Sequence, residues 1–246
     1  AAGIDASYIG HPLTRLVKPS APRAELRRRY DVPPETPLIA LLPGSREGEA
    51  ARHLPILLET VDQIRRRHTG PAPRFILAVP PGTVPAGSIF RERISRSSIQ
   101  LQEGQSWDVL ACADLALAAS GTVTIEAALL GAPLIAFYRV TKLTWWMGRR
   151  LVNVPFFSMV NLVAGRRIVP ELIQDDMTAE RLSGEALRLL SDDSALENMR
   201  RELSIVAQQL SGPENPLERA AALVEEYLAG AGENRASFKK EMVHVS

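Results

Sequence analysis

Apolar stretches and amphipathic segments alternate along the chain. Apolar-rich stretches at 38–42, 74–79, 99–102, 115–119 and 134–138 predict strands, and intervening segments predict helices near 54–67, 88–96, 107–113, 122–131 and 142–151. Strand and helix in regular turn are the pattern of an α/β fold with a parallel, doubly wound, Rossmann-like sheet, because a parallel crossover needs a helix-length connection. After Pro170 the character changes. Residues 178–191, 194–211 and 215–229 read as successive helices, the last two separated by the turn-forming stretch from Ser211 to Pro216. The polar segment 230–246 reads as a frayed tail, and no internal repeat is visible.

Composition changes this picture little but excludes several classes of function. With 246 residues and 46% apolar content, the chain can hold one large core, alone or with an appendage. Lys and Arg total 29 against 28 for Asp and Glu, so no basic excess calls for nucleic acid. No apolar run approaches the roughly 20 residues that span a bilayer, and the start carries no signal-peptide pattern. Cys112, the single cysteine, stands in the apolar run from Val109 to Ala113 and reads as a small core residue rather than a nucleophile. One cysteine cannot form a disulfide within the chain, which fits a reducing compartment.

Two strand–loop–helix junctions carry the candidate chemistry. After the apolar run Leu115–Ala119 the chain reads Ser120-Gly-Thr-Val-Thr-Ile-Glu126. A strand that breaks at Ser120 and Gly121 into a helix from Thr122 leaves free backbone N–H groups and a positive helix end at the sheet's carboxyl edge, which is an anion site. Glu126, about one turn into that helix, can reach past a bound phosphate to accept hydrogen bonds from two ribose hydroxyls. On the plainer reading, Thr122 caps the helix and Glu126 complements its dipole. The second junction follows Leu38–Leu42: Gly44 permits close backbone approach, Ser45 offers a hydroxyl, and Arg46 offers a planar fork suited to phosphate oxygens. Its plainer reading is an exposed turn with a solvated arginine. Two such junctions in one alternating pattern favour the phosphate reading of both.

Other features narrow the chemistry. No Asp-x-Asp occurs, the pairs Asp175-Asp176 and Asp192-Asp193 suit helix capping, and the four histidines have no ligand spacing, so metal assistance is not expected. No Gly-Lys-Ser/Thr loop is present, which argues against a P-loop ATPase. Residues 142–157 gather Trp145, Trp146, Phe156 and Phe157 with Lys142, Arg149 and Arg150. Adjacent tryptophans cannot both enter a core from one helix face, so one is expected at the surface. Such a segment suits a membrane headgroup boundary or acyl chains; packing against another domain or subunit is the alternative.

Seven motifs occur together in one order: Gly10-His11-Pro12-Leu13, Leu42-Pro-Gly-Ser-Arg46, Ser120–Glu126, Tyr138-Arg139, Leu143-Thr144, Val160–Gly165 and Val169–Gln174. The set resembles the lipid-A-disaccharide synthase family over roughly residues 8–228. The resemblance implies a GT-B glycosyltransferase that moves a diacylated glucosamine from UDP to a second diacylated glucosamine 1-phosphate. It implies a UDP-sugar donor with no cofactor, a membrane-bound acceptor at the cytoplasmic face of the inner membrane, and metal-independent transfer. A complete GT-B enzyme has a further Rossmann domain ahead of the Gly10 motif, and the proposed acidic base of the family lies there. The chain is therefore expected to comprise a crossing linker over 1–17, a donor-binding domain over 18–211, a returning helix over 212–230 and a tail over 231–246, and to need a partner domain or second copy for turnover. Donor binding is expected from Gly44, Ser45, Arg46, Ser120, Gly121, Thr122, Glu126, Arg139 and Gln174, with Arg46 and Asn161 acting on the phosphates or sugar. For Asn161 a loop-capping role, and for Arg139 plain solvation, stand beside these roles. A UDP-sugar 2-epimerase of the same fold and a noncatalytic UDP-binding module are the alternative functions.

Overall fold

The structure is a computed structural model and describes residues 7–85, 87–141, 144–146, 154–212 and 214–228. Its elements are α1 (Leu13–Leu16), α2 (Arg23–Arg29), β1 (Leu38–Leu42), α3 (Glu47–Arg67), β2 (Arg74–Val79), α4 (Ile89–Arg96), β3 (Gln100–Glu103), α5 (Ser106–Cys112), β4 (Leu115–Ala119), α6 (Thr122–Leu129), β5 (Leu134–Tyr138), α7 (Met159–Ala164), β6 (Glu171–Ile173), α8 (Ala179–Leu190) and α9 (Asp193–Leu210). A helical turn at 144–146 and a helix over 216–228 complete them.

Every residue of β1 and of β4 is buried. A strand with no polar alternation must be covered on both faces, which is the environment of a parallel sheet. The six strands lie in the order β3-β2-β1-β4-β5-β6, and all neighbouring pairs run parallel. The central pairing sets Ile39 opposite Leu115 and Leu42 opposite Ala118. α3 and α8 pack on one another. Leu54, Leu57, Val61 and Ile64 of α3, spaced by three or four residues, are buried, as are Leu182, Ala186 and Leu189 of α8. Each such leucine or isoleucine contributes about 1.5–3 kcal/mol by leaving water. At the amino-terminal ends of β1 and β4, Asp114 Oδ2 accepts from Leu38 N–H at 2.7 Å and from the buried Arg27 at 3.0 Å. Arg27 also donates to the carbonyls of Pro33 and Thr36, so the sheet is laced at the edge remote from the cleft described below.

Val17–Gln208 forms one compact unit that holds the whole sheet. The described residues of Ala1–Leu16 and Gln209–Ser246 form another. In that unit the Tyr8 hydroxyl donates to the carbonyls of Gln209 and Leu210, and His11 N–H donates to Leu210 O at 2.9 Å. Gly10, at φ +88°, passes so close to Gly212 that a Cβ would stand 2.9 Å from the Gly212 nitrogen. Among the described residues no helix is long and apolar enough to cross a membrane.

The five expected strands are present, with β3 one residue later than its pattern predicts. α3 begins at Glu47, seven residues before the expected 54, because its polar first two turns show no apolar face. Four elements were not anticipated: α1, α2, α7 and the edge strand β6. β6 is three half-buried residues, too short for a period to register. Of the expected helix at 142–151 only 144–146 lies within the described residues, where it is helical; the tail at 231–246 lies outside them.

Candidate functional site

A parallel sheet in the order 3-2-1-4-5-6 has one place where successive crossovers leave in opposite directions, between β1 and β4, and a crevice opens beyond the carboxyl ends of those strands. A cleft of about 910 Å³ lies there. Both predicted junctions line it, through Gly44, Ser45 and Arg46 after β1 and Ser120, Gly121, Thr122 and Glu126 after β4.

The first junction turns at Gly44, whose φ of +115° is a conformation side chains rarely adopt. A Cβ on Gly44 would also stand 2.7 Å from Glu49 Oε2 and 2.9 Å from Glu49 Cβ, so glycine is required twice over. Arg46 occupies the N-cap of α3 in extended conformation and gives no side-chain cap. Its side chain is 81% exposed and pairs with Glu49 at 3.2 Å, a contact of small energetic weight that lets the guanidinium turn toward an anion.

At the second junction the N-cap of α6 is Gly121, which has no side chain to cap with. The alternative in which Thr122 caps the helix is therefore not realised: Thr122 is exposed, and Thr124 Oγ1 bonds back to Gly121 O at 2.8 Å. Ser120 Oγ already donates to Phe157 O at 2.6 Å, and Ser120 N–H to Phe137 O at 2.7 Å, so Ser120 shapes the junction while its hydroxyl is engaged. Helices α4, α7 and α8 are capped by the hydroxyls of Ser88, Ser158 and Thr178. The three helices whose starts line the cleft, α3, α5 and α6, have no such cap; α2, which follows Pro22, also lacks one. Open helix starts converging on one cleft make a site for anions.

Glu126 sits partly buried on α6. Burial pushes its carboxyl above the ordinary range, and a hydrogen bond from the Trp107 side chain works against that shift. Trp107 belongs to α5, whose approach Gly104-Gln105 repeats the strand–glycine–helix pattern of the other two junctions; that third repeat is the signal the sequence reading passed over. Gln105 accepts a hydrogen bond from the Tyr30 hydroxyl at 2.9 Å. Burial first, and then the Asp108 carboxylate, push the Tyr30 phenol up to about 12, so it remains a donor. Asp108 accepts from Ser20 N–H at 2.6 Å, from Ser20 Oγ at 2.5 Å and from Arg29 at 3.3 Å. Lys18, Ser20, Arg29, Gln105, Trp107 and Asp108 also line the cleft.

Three expected site residues do not line the cleft, and their hydrogen bonds say why. Asn161 is fully buried. Its Nδ2 donates to Val169 O and Glu171 Oε1, and its Oδ1 accepts from Ile168 and Val169 N–H, so its amide is fully occupied in holding the chain between α7 and β6. The loop-capping alternative is the one realised. Gln174, 5% exposed, exchanges two hydrogen bonds of 3.1 Å with the Val140 backbone, and Arg139 Nε donates to Gln174 O. Both therefore pin the exit of β5 and lie outside the lining of the cleft. Burial pushes the Glu171 carboxyl up, but hydrogen bonds from Ser158 Oγ, Phe157 N–H, Ser158 N–H and Asn161 outweigh it and hold the carboxyl below its ordinary value. Through Phe157, this cluster fixes the segment that Ser120 grips.

Comparison with known proteins decides the lineage. The profile of the lipid-A-disaccharide synthetase family matches residues 1–224. This chain belongs to that family. It is 48% identical over 229 residues to the lipid-A-disaccharide synthase of Solibacter usitatus, covering 93% of this chain and 58% of that protein. To the same enzyme of Geobacter sulfurreducens it is 37% identical, covering 92% and 58%. The chain thus spans a little over half the length of the curated relatives it matches. Its fold is that of GT-B glycosyltransferases, exemplified by WaaG, a glycosyltransferase involved in lipopolysaccharide biosynthesis: TM-score 0.54 at 15% identity, over 87% of this chain and 54% of that one.

Replacing Asn161 by alanine strands the Ile168 and Val169 N–H groups and removes a donor from Glu171. An Asn161→Ala chain is expected to lose about 2–4 kcal/mol in urea unfolding at neutral pH. Because the folded value of Glu171 is lowered, its contribution to stability is complete above the ordinary carboxylate range and disappears as pH falls through the lowered value. The gap between wild type and variant should therefore narrow on acidification.

Proposed function

We propose that this chain is the donor-binding part of an enzyme that transfers 2,3-diacylglucosamine from UDP to 2,3-diacylglucosamine 1-phosphate, forming the lipid A disaccharide. One observation carries the reading: the uncapped starts of α3 and α6 stand side by side at the β1–β4 switch, with Arg46 on one and Glu126 one turn into the other. A nucleoside diphosphate needs that combination, anion sites for its phosphates and a carboxylate for its ribose hydroxyls.

In transfer, the bond between the anomeric carbon and the β-phosphate oxygen breaks, and the acceptor 6-hydroxyl oxygen forms the new bond as its proton passes to a base. Negative charge grows on the departing UDP. Arg46 and the N–H groups opening α3 and α6 stabilise that charge, an effect typically worth about 3–4 kcal/mol per well-placed donor, with no metal or other cofactor in this reading. In this reading Glu126 serves the ribose, and the base and the acceptor site lie, as the family resemblance implies, in the part of the relatives' length that this chain does not span. Trp146 and Phe157, 50% and 40% exposed, and Leu162 and Val163 of α7 present apolar surface, with Trp145 against Phe157 at 5.7 Å between ring centres. Apolar surface followed by the exposed Arg166 and Arg167 supports acylated substrates presented at an anionic membrane, here the cytoplasmic face of the inner membrane.

UDP should bind the chain measurably by calorimetry. Arg46→Ala should weaken it about 10-fold, the equivalent of one charged hydrogen bond; unchanged affinity in a folded variant would remove Arg46 from the phosphate site.

The ribose contact requires ionised Glu126, whose carboxyl is raised. UDP affinity should therefore begin to fall, on acidification, above the ordinary carboxylate range. Glu126→Gln should flatten that limb and discriminate less against 2'-deoxy-UDP than wild type does. Equal losses for UDP and its deoxy analogue would return Glu126 to a dipole role.

Mass spectrometry of products from UDP-diacylglucosamine and the lipid acceptor tests the activity itself. The chain alone should stay at background while binding UDP, and addition of the amino-terminal part of a relative should give disaccharide. General-base assistance is typically worth about 100- to 10,000-fold and acceptor positioning more, so disaccharide from this chain alone would overturn the division of roles.

A further inference from the structure

His53, on the second turn of α3, is fully buried and lies outside the lining of the cleft. Its Nδ1 lies 2.6 Å from Pro43 O, and its Nε2 lies 3.1 Å from Arg139 O and 3.2 Å from Arg139 N. Burial keeps the ring neutral with a single proton, and the nearer of the two carbonyls, Pro43 O, takes it from Nδ1. Nε2 of the neutral ring then accepts from Arg139 N–H. The ring is set edge-on against Phe137 at 5.3 Å.

These contacts join two places far apart in the chain. Pro43 is the buried residue on which the Gly44-Ser45-Arg46 turn hinges. Arg139 follows the last residue of β5 and is itself held by Gln174, through Arg139 Nε and the neighbouring Val140. In the sheet, β4 lies between β1 and β5, so His53 straps the two neighbours of β4 together at the level where the Ser120-Gly121 junction leaves. A hydrocarbon side chain at 53 would leave the Pro43 carbonyl and the Arg139 N–H buried without this partner.

We propose that His53 is the positioning residue of the first phosphate junction, fixing the Pro43–Arg46 turn against the exit of β5 so that its N–H groups and Arg46 are preset for the diphosphate. The proposal rests on the nucleotide-binding reading above, and its test separates the two.

The experiment uses the 246-residue chain with His53→Phe, which keeps ring volume against Phe137 but makes no hydrogen bond, and His53→Asn, whose Nδ2 can replace Nδ1 toward Pro43 while losing ring packing. Three readouts are taken: thermal midpoint, hydrogen exchange without nucleotide of the Glu49 and Ala50 amides, which hold the carbonyl of Arg46 at the junction, and UDP affinity by calorimetry. His53→Phe should exchange those amides at least about 10-fold faster and bind UDP about 10-fold more weakly, the loss of one or two buried hydrogen bonds. His53→Asn should retain affinity within about 3-fold, since one such bond persists, in spite of a lower thermal midpoint. Affinity that instead follows the thermal midpoint across the variants, or junction amides unchanged in His53→Phe, would overturn the positioning role. Faster junction exchange in a chain whose wild type binds no UDP would uphold the role of His53 and refute the nucleotide reading.

Discussion

The parallel pairing of β1 with β4 is the constraint on which the rest of the molecule depends. Two parallel neighbours deliver the segments that follow them to the same sheet edge, and here β1 continues toward β2 on one side while β4 continues toward β5 on the other. Helices leaving in opposite directions cannot fill the space between their starts. The pairing is secured by residues buried without exception along both strands and, at the opposite edge, by Asp114 tying the start of β1 to Arg27. Stability is concentrated beneath the cleft, which lets the cleft itself carry exposed and partly desolvated polar groups.

Helix capping shows how that freedom is used. Caps of serine or threonine satisfy the starts of α4, α7 and α8, whereas the starts facing the cleft keep their donors open. Open donors cost little in water and become useful when an anion replaces that water. The raised Glu126 carboxyl beside Trp107 belongs to the same arrangement, a charged acceptor held where its ionised form is partly desolvated. Around this lies a layer of fully satisfied groups, His53, Gln174, Asn161 and Glu171, whose hydrogen bonds set the height and spacing of the junctions. In the proposed reading the outer layer meets the ligand, and the inner one determines where the outer layer stands.

Membership of the lipid-A-disaccharide synthetase family gives this geometry a setting. The chain covers 58% of the Solibacter usitatus relative. A proposed donor site at the mouth of one Rossmann-like sheet accords with a GT-B enzyme of which this chain spans a little over half the length.

The sequence by itself determined the strands, their parallel order of connection and the two glycine junctions, because each rests on local physics: continuous apolar runs demand burial on both faces, and Gly44 and Gly121 mark where a strand must break into a helix. It also held the family motifs in order. It was silent on α7 and β6, which are too short to show a period and are stabilised by contacts with Asn161 and Glu171 rather than by propensity. The tertiary structure alone decided which motif residues reach the cleft. Asn161, Arg139 and Gln174 stand in family motifs as Arg46 and Glu126 do, yet the Asn161 and Gln174 amides and the Arg139 Nε are taken by partners that only folding brings near. His53 went unread for the opposite reason: a lone imidazole has no local signature, and its meaning comes from the carbonyls that the sheet places beside it.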